Sequence, residues 1–132
     1  MDPRAYAPFA RQIAETGYLV VIVRMPLSLA VLSPNAAMEV IETFPDIKSW
    51  TIAGHSLGGA IAATFAETND DLVRGLLLIA SYPPSNIDLS DNNLLVSSVY
   101  GSRDGLASVQ DVVGAMSQLP ENTLWVPIEG GN

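Results

Sequence analysis

The sequence contains no cysteine and one histidine, His55. The first absence excludes disulfides, thiol nucleophiles and cysteine-ligated metals, and the second excludes a zinc site built mainly of histidines. Neither absence locates the compartment. Basic residues are scarce too: six, against 14 acids, giving a net charge of −8. Arg4, Arg11, Arg24, Lys48, Arg74 and Arg103 are scattered rather than clustered. A nucleic-acid backbone needs a basic face, and an anionic membrane surface attracts basic clusters, so neither partner is expected. Long apolar runs are missing as well. Runs such as Tyr18 to Val23 and Gly75 to Ala80 fall far short of the roughly 20 residues that a membrane-spanning helix requires. No basic stretch followed by an apolar one opens the chain, so no secretory signal is visible. A cytoplasmic protein is the favoured reading, with a signal or anchor upstream of Met1 left open.

What is present is apolar. Hydrophobic residues make up 48% of the chain and charged residues 15%, which is too hydrophobic for a disordered segment. At 132 residues one domain is expected over residues 1–132. No repeat, low-complexity tract or interdomain linker interrupts it. Helical and strand patterns alternate.

Residues 4–16 read as a helix, with Pro3 in its first turn, Tyr6, Phe9, Ala10, Ile13 and Ala14 at helical spacing, and Gly17 near the C-cap. The β-branched run Tyr18 to Arg24 reads as a strand buried on both faces. A loop over 25–33 leads to a helix over 34–44, with Ser33 as N-cap and Pro34 at its first position. Its stripe is Ala37, Met38, Ile41 and Phe44, and Pro45 stops it. Lys48 to Gly54 is a strand, 57–68 a helix, Val73 to Ala80 a strand, 81–93 a polar loop and Leu94 to Gly101 a strand. Ser108 and Asp111 form an approximate capping box opening a further helix, which Pro120 ends. Thr123 to Ile128 is a fifth strand. Buried strands joined by helices imply an α/β fold: a three-layer α/β/α sandwich on a mostly parallel sheet of about five strands, with right-handed crossovers.

The segment Gly54-His55-Ser56-Leu57-Gly58 matches G-x-S-x-G. Such a match arises by chance in roughly one chain in twenty of this length, so its context matters. It lies between a buried strand and an amphipathic helix, where a tight turn would hold Ser56 at its tip as a nucleophile. Gly54 and Gly58 are expected to let neighbouring backbone pass close. The helix beginning near Leu57 directs its positive dipole end and free N–H groups at developing negative charge. A glycine-rich cap without chemistry and a phosphate-binding turn are the competing readings. The dinucleotide fingerprint G-x-G-x-x-G has Ser56 at its middle glycine, and Ile79-Ala80-Ser81 stands where it wants an acid.

At these residues the sequence resembles the α/β-hydrolase fold family, most nearly its small bacterial members around the dienelactone-hydrolase group. Besides the elbow, the resemblance rests on Tyr100-Gly-Ser-Arg-Asp104 and Ile128-Glu-Gly-Gly-Asn132. It implies a serine hydrolase acting through an acyl-enzyme, with Ser56 as nucleophile, Asp104 as the acid that holds the base histidine in one tautomer, and the Leu57 N–H as an oxyanion donor. Asp88 and Asp91 are rivals for the acid. The implied partner is a small-molecule acyl or ester substrate, and no cofactor or metal is implied. Ligands in such sheets bind beyond the carboxyl ends of the strands, which makes Met25 and Tyr82 candidates to line an acyl pocket. The 81–93 connection leaves no room for a cap domain. Arg24, at a strand end, is expected to pair with a carboxylate.

The family's order is serine, acid, histidine, and no histidine follows Asp104. The base is expected just after Asn132, and a glycine-rich strand carrying the second oxyanion donor before Met1, so the chain reads as the middle of a larger, truncated α/β-hydrolase fold. His55, adjacent to Ser56, is expected to be a packed, hydrogen-bonded side chain. The alternative is a non-catalytic α/β-hydrolase-like binding or scaffold protein, which the missing histidine favours and the strained turn opposes. A parallel-sheet edge left uncovered invites association. The isolated chain is therefore expected to self-associate, and light scattering that returns a clean monomer would contradict this.

Overall fold

The computed structural model describes residues 3–25, 33 and 36–132. The remainder of the expected 25–33 loop, and Pro34 at a first helical turn, lie outside the described residues. The chain divides into two compact units, residues 1–46 and 47–132.

In the first unit a 3-10 turn, Pro3–Tyr6, runs into helix α1, Ala7–Ala14. Its last turn closes with the Glu15 N–H donating to the Arg11 carbonyl at 2.9 Å, and Gly17 takes a φ of +97° that glycine adopts without cost. Residues 18–25 do not form the expected strand: they join no ladder, and Tyr18 is 70% exposed. A β-branched run favours extended backbone, but extended backbone becomes a strand only where a neighbour takes up its N–H and C=O groups. Helix α2, Ala36–Thr43, follows, and the Ala36 N–H donates to the Ser33 carbonyl at 3.2 Å.

The second unit holds the sheet. Strand β1 is Trp50–His55, helix α3 Leu57–Thr68, β2 Val73–Ile79, β3 Leu95–Gly101, α4 Val109–Gly114 and β4 Leu124–Ile128. Among the described residues the sheet is four-stranded, fully parallel and ordered β1-β2-β3-β4. One strand fewer than expected is the result of the unladdered 18–25 segment. The capping box forms in full: the Ser108 hydroxyl accepts from the Asp111 N–H, and the Asp111 carboxylate accepts from the Ser108 N–H.

Helix α3 packs on β1 and β2. Its Ala62, Ala63 and Ala66 are buried, and small side chains let the helix lie close to the strands. On one face of the sheet Ile52, Leu76 and Val96 are in register, followed by Gly54, Leu78, Ser98 and Trp125. Leu76 and Leu78 have no exposed surface. On the other face Leu95, Leu124 and Ile128 are exposed. The connection between β2 and β3 is held from below. Gln118 Nε2 donates to the carbonyls of Pro84 and Ile87 at 2.7 and 2.6 Å, and the Leu89 N–H donates to the Gln118 carbonyl at 2.8 Å.

Ser98 is 1% exposed, and its hydroxyl has no hydrogen-bond partner among the described residues. A buried, unpaired polar atom costs stability, whereas a buried leucine supplies it. Ser98→Ala is therefore expected to raise the unfolding free energy by about 1 kcal/mol. Leu78→Ala, at the neighbouring position in the same row, should lower it by about 2–5 kcal/mol. Urea denaturation of both variants checks the pair, and a destabilised Ser98→Ala would show that the hydroxyl is satisfied.

Candidate active site

The site builds up from the junction of β1 and α3. Strand β1 ends at His55 and helix α3 begins at Leu57, so a single residue, Ser56, makes the whole turn. It does so at φ 52° and ψ −128°, in the left-handed half of conformational space that a residue with a Cβ rarely occupies. Such a conformation costs on the order of 1–3 kcal/mol and persists only where the surroundings over-determine it. Here they do. The Ser56 N–H donates to the Ile79 carbonyl of β2 at 2.9 Å, and the Ser56 carbonyl accepts from the Gly59 N–H at 2.9 Å. The same carbonyl accepts from the Ser81 hydroxyl at 2.7 Å. The Ser56 side chain makes no cap bond to α3, and the residue is exposed.

Two glycines make this turn possible, and only one of them is a glycine expected to do so. A Cβ on Gly54 would overlap the Gly58 carbonyl. A Cβ on Gly58 would meet nothing, so the expectation that Gly58 itself admits a close neighbour is corrected. The second crowded position is Gly59, where a Cβ would overlap the Ser81 hydroxyl. Leu57 is exposed, and as the first residue of α3 its N–H has no acceptor within the helix.

Asp104 lies in the turn after β3, at the same carboxyl end of the sheet as Ser56. Its Oδ1 accepts from the N–H of Leu106 at 2.8 Å and of Ala107 at 3.0 Å. The bond from Leu106 and then that from Ala107 hold its carboxyl below the usual 3.8, against a small opposing effect of desolvation, and the charge of His55 adds a lesser attraction. The sole histidine is thus within electrostatic range of this acid. The backbone following β4 is tied to the same turn. The Ser102 N–H donates to the Ile128 carbonyl at 3.0 Å and the Arg103 N–H to the Gly131 carbonyl at 2.8 Å. The Gly130 N–H donates to the Ser102 hydroxyl at 2.9 Å.

The rival acids sit elsewhere. Asp88 accepts both the hydroxyl and the N–H of Ser90, at 2.6 and 3.0 Å, and these hold its carboxyl low. Its own N–H donates to Glu67 near the far end of α3, at 3.0 Å. Asp91 precedes β3 and lines a shallow cleft with Met116, Leu119 and Glu121, at the amino end of the strands. Tyr82 is half-buried and follows Ser81 beyond the carboxyl end of β2. Met25 belongs to the first unit, where it is half-buried. The sequence gives Ser81 no part in the site. Its signal is only a serine directly after a strand, and the left-handed Ala80 before it, at φ 46°, is not legible in an alanine. Among the described residues no group of three or more histidine or carboxylate side chains could hold a metal ion, and no helix is long and apolar enough to cross a membrane.

The sequence matches the Alpha/beta hydrolase family over residues 1–132. The chain belongs to the alpha/beta hydrolase family, and its fold is the α/β-hydrolase fold. An alpha-beta serine hydrolase homologue from Coxiella burnetii superposes with a TM-score of 0.67 at 19% identity, over 98% of this chain and 68% of that one. A protein of unknown function from Agrobacterium tumefaciens, described as a candidate alpha/beta hydrolase, gives 0.59 at 23% identity, over 85% and 51%. A structure from the work on carboxylesterases of the ammonia-oxidizing thaumarchaeon Nitrososphaera gargenis gives 0.67 at 11% identity, over 96% and 76%. At these identities the likeness is one of fold. The chain spans between about half and three quarters of these structures. No curated protein matches the sequence.

A carboxyl held by two N–H groups favours its charged form. The linkage follows: stability from this pair is fully present above the unfolded value of 3.8 and is lost as pH falls through the lower folded value. Titration of the Asp104 carboxyl carbon by NMR should give a midpoint below 3.8. In Asp104→Asn the Leu106 and Ala107 amides should exchange faster, and an Asp104 midpoint at or above the ordinary value would contradict the geometry.

Proposed function

We propose that this chain carries the nucleophile and the acid of a serine hydrolase that acts on small acyl esters. The observation behind this reading is the conformation of Ser56. A strained, exposed serine between a strand and a helix, braced on three sides, is costly to keep unless its hydroxyl does chemistry.

In this reading Ser56 Oγ attacks the substrate carbonyl carbon while its proton passes to a histidine base. The oxyanion forms near the Leu57 N–H, at the positive end of α3. The tetrahedral intermediate collapses, the alcohol leaves with that proton, and water then releases the acid by the same steps in reverse order. Asp104, ionised at neutral pH, orients and stabilises the histidine. His55, adjacent to Ser56 in the chain, is not assigned as that base. The bonds at Ser102 and Arg103 tie the Ile128–Gly131 backbone to the turn that carries Asp104. Tyr82, beyond β2, is the proposed wall of the acyl site. The 81–93 connection, pinned by Gln118, leaves the site open to small substrates. The finer kinship with the dienelactone-hydrolase group rests on the sequence motifs and predicts a preference for small lactones over long-chain esters.

The test is a fluorophosphonate probe applied to the longest native protein that contains this chain, with the adduct located by mass spectrometry. The adduct is expected on Ser56 and is lost in Ser56→Ala. Asp104→Asn should lower kcat by about 10²–10⁴-fold with KM little changed. A protein that binds acyl ligands but forms no adduct at Ser56 would be a binding module on the same fold, and the hydrolase reading would fall.

A further inference from the structure

The peptide unit joining Ser56 to Leu57 has two ends, and they face different partners. One end is the Leu57 N–H, the proposed oxyanion donor. The other is the Ser56 carbonyl, which accepts the Ser81 hydroxyl at 2.7 Å and the Gly59 N–H at 2.9 Å. Ser81 is 4% exposed, so water does not replace its bond. The arrangement is built from several independent parts. Ala80 takes a left-handed φ of 46° and its N–H donates to the Val99 carbonyl of β3 at 2.8 Å, which fixes the backbone leading into Ser81. Gly59 carries no side chain, and any Cβ there would occupy the space of the Ser81 hydroxyl. Two left-handed residues just past the ends of adjacent strands, one missing Cβ and one buried hydroxyl thus converge on a single carbonyl.

We infer that Ser81 is a positioning residue that acts on the oxyanion donor through the Ser56–Leu57 peptide. This rests on the reading of Ser56 and Leu57 given above. Two physical effects carry it. A peptide unit is planar, so a bond that fixes the carbonyl also fixes the direction of the N–H at its other end. A hydrogen bond to a carbonyl also polarises the amide and makes its N–H a stronger donor, the cooperative strengthening seen along chains of hydrogen bonds. Both effects matter most when negative charge develops in front of Leu57, which is in the transition state and not in the bound substrate.

The experiment compares Ser81→Ala with the unsubstituted native protein. Losing a direct oxyanion donor costs about 10²–10³-fold in kcat, so loss of an indirect support is expected to cost about 5- to 20-fold. KM should stay within about two-fold, since ground-state binding is not touched. Affinity for a boronic acid, which mimics the tetrahedral species, should fall by the same factor as kcat. The Leu57 amide proton should move upfield by NMR, because its peptide has lost a polarising partner. A KM that rises at constant kcat would overturn the inference, as would a fall in kcat that leaves boronic-acid affinity and the Leu57 amide unchanged. If the unsubstituted protein forms no adduct at Ser56, the hydrolase reading fails and takes the oxyanion role with it. A Leu57 amide that does not move in Ser81→Ala overturns the tether whatever the activity.

Discussion

Helix α3 can begin where β1 ends because no side chain stands between them. Gly54 has no Cβ to strike the Gly58 carbonyl, and so the first turn of the helix lies directly on the last residues of the strand. Everything at the site follows from that approach. One residue must reverse the chain, and Ser56 does so in a conformation that L-residues avoid. The bonds that hold it come from β2 and from the residues just after it, so the sheet is the clamp that keeps the turn strained. Fold stability and site geometry are the same set of contacts here.

Much of this was legible in the sequence. The helix over 57–68 and the strands on either side of it are written in unbroken apolar runs and in the glycines that punctuate them, and the Ser108–Asp111 box marks its helix from two side chains. The segment over 18–24 was not legible in the same way. Its β-branched residues record a preference for extended backbone, whereas a strand is a property of two neighbours, and a single run of residues carries no information about its partner. The glycines show a similar limit. Gly58 and Gly59 are adjacent and identical in type, and only the direction of each missing Cβ separates the open one from the crowded one. Ser81 escaped notice because its part depends on the left-handed turn at Ala80, which alanine does not announce.

The carboxyl end of the sheet shows a division of labour between rigid and turn-borne groups. Ser56 is fixed by a strand, a helix and a neighbouring strand. Asp104 is fixed by its own turn, where two successive N–H groups hold one carboxylate oxygen and keep it charged. Those bonds occupy Oδ1, and the Gly131 carbonyl ties the following backbone beside it. Asp88, with a similar pair of bonds to Ser90, shows that such a turn is not a mark of function by itself. What separates the two acids is which end of the strands they occupy.

Among the described residues the order of strands in space is also their order in the chain. For a chain emerging from the ribosome, each of the described strands after β1 meets the edge that was laid down just before it. Domains generally fold in this direction during synthesis. Once β2 and the first residues of the next connection have emerged, Ile79 and Ser81 are present and the turn at Ser56 has its brace, while Asp104 is still more than twenty residues from being made. The cradle of the proposed nucleophile is thus an early product of translation, assembled from a short stretch of chain. The proposed acid is a late arrival fitted onto it.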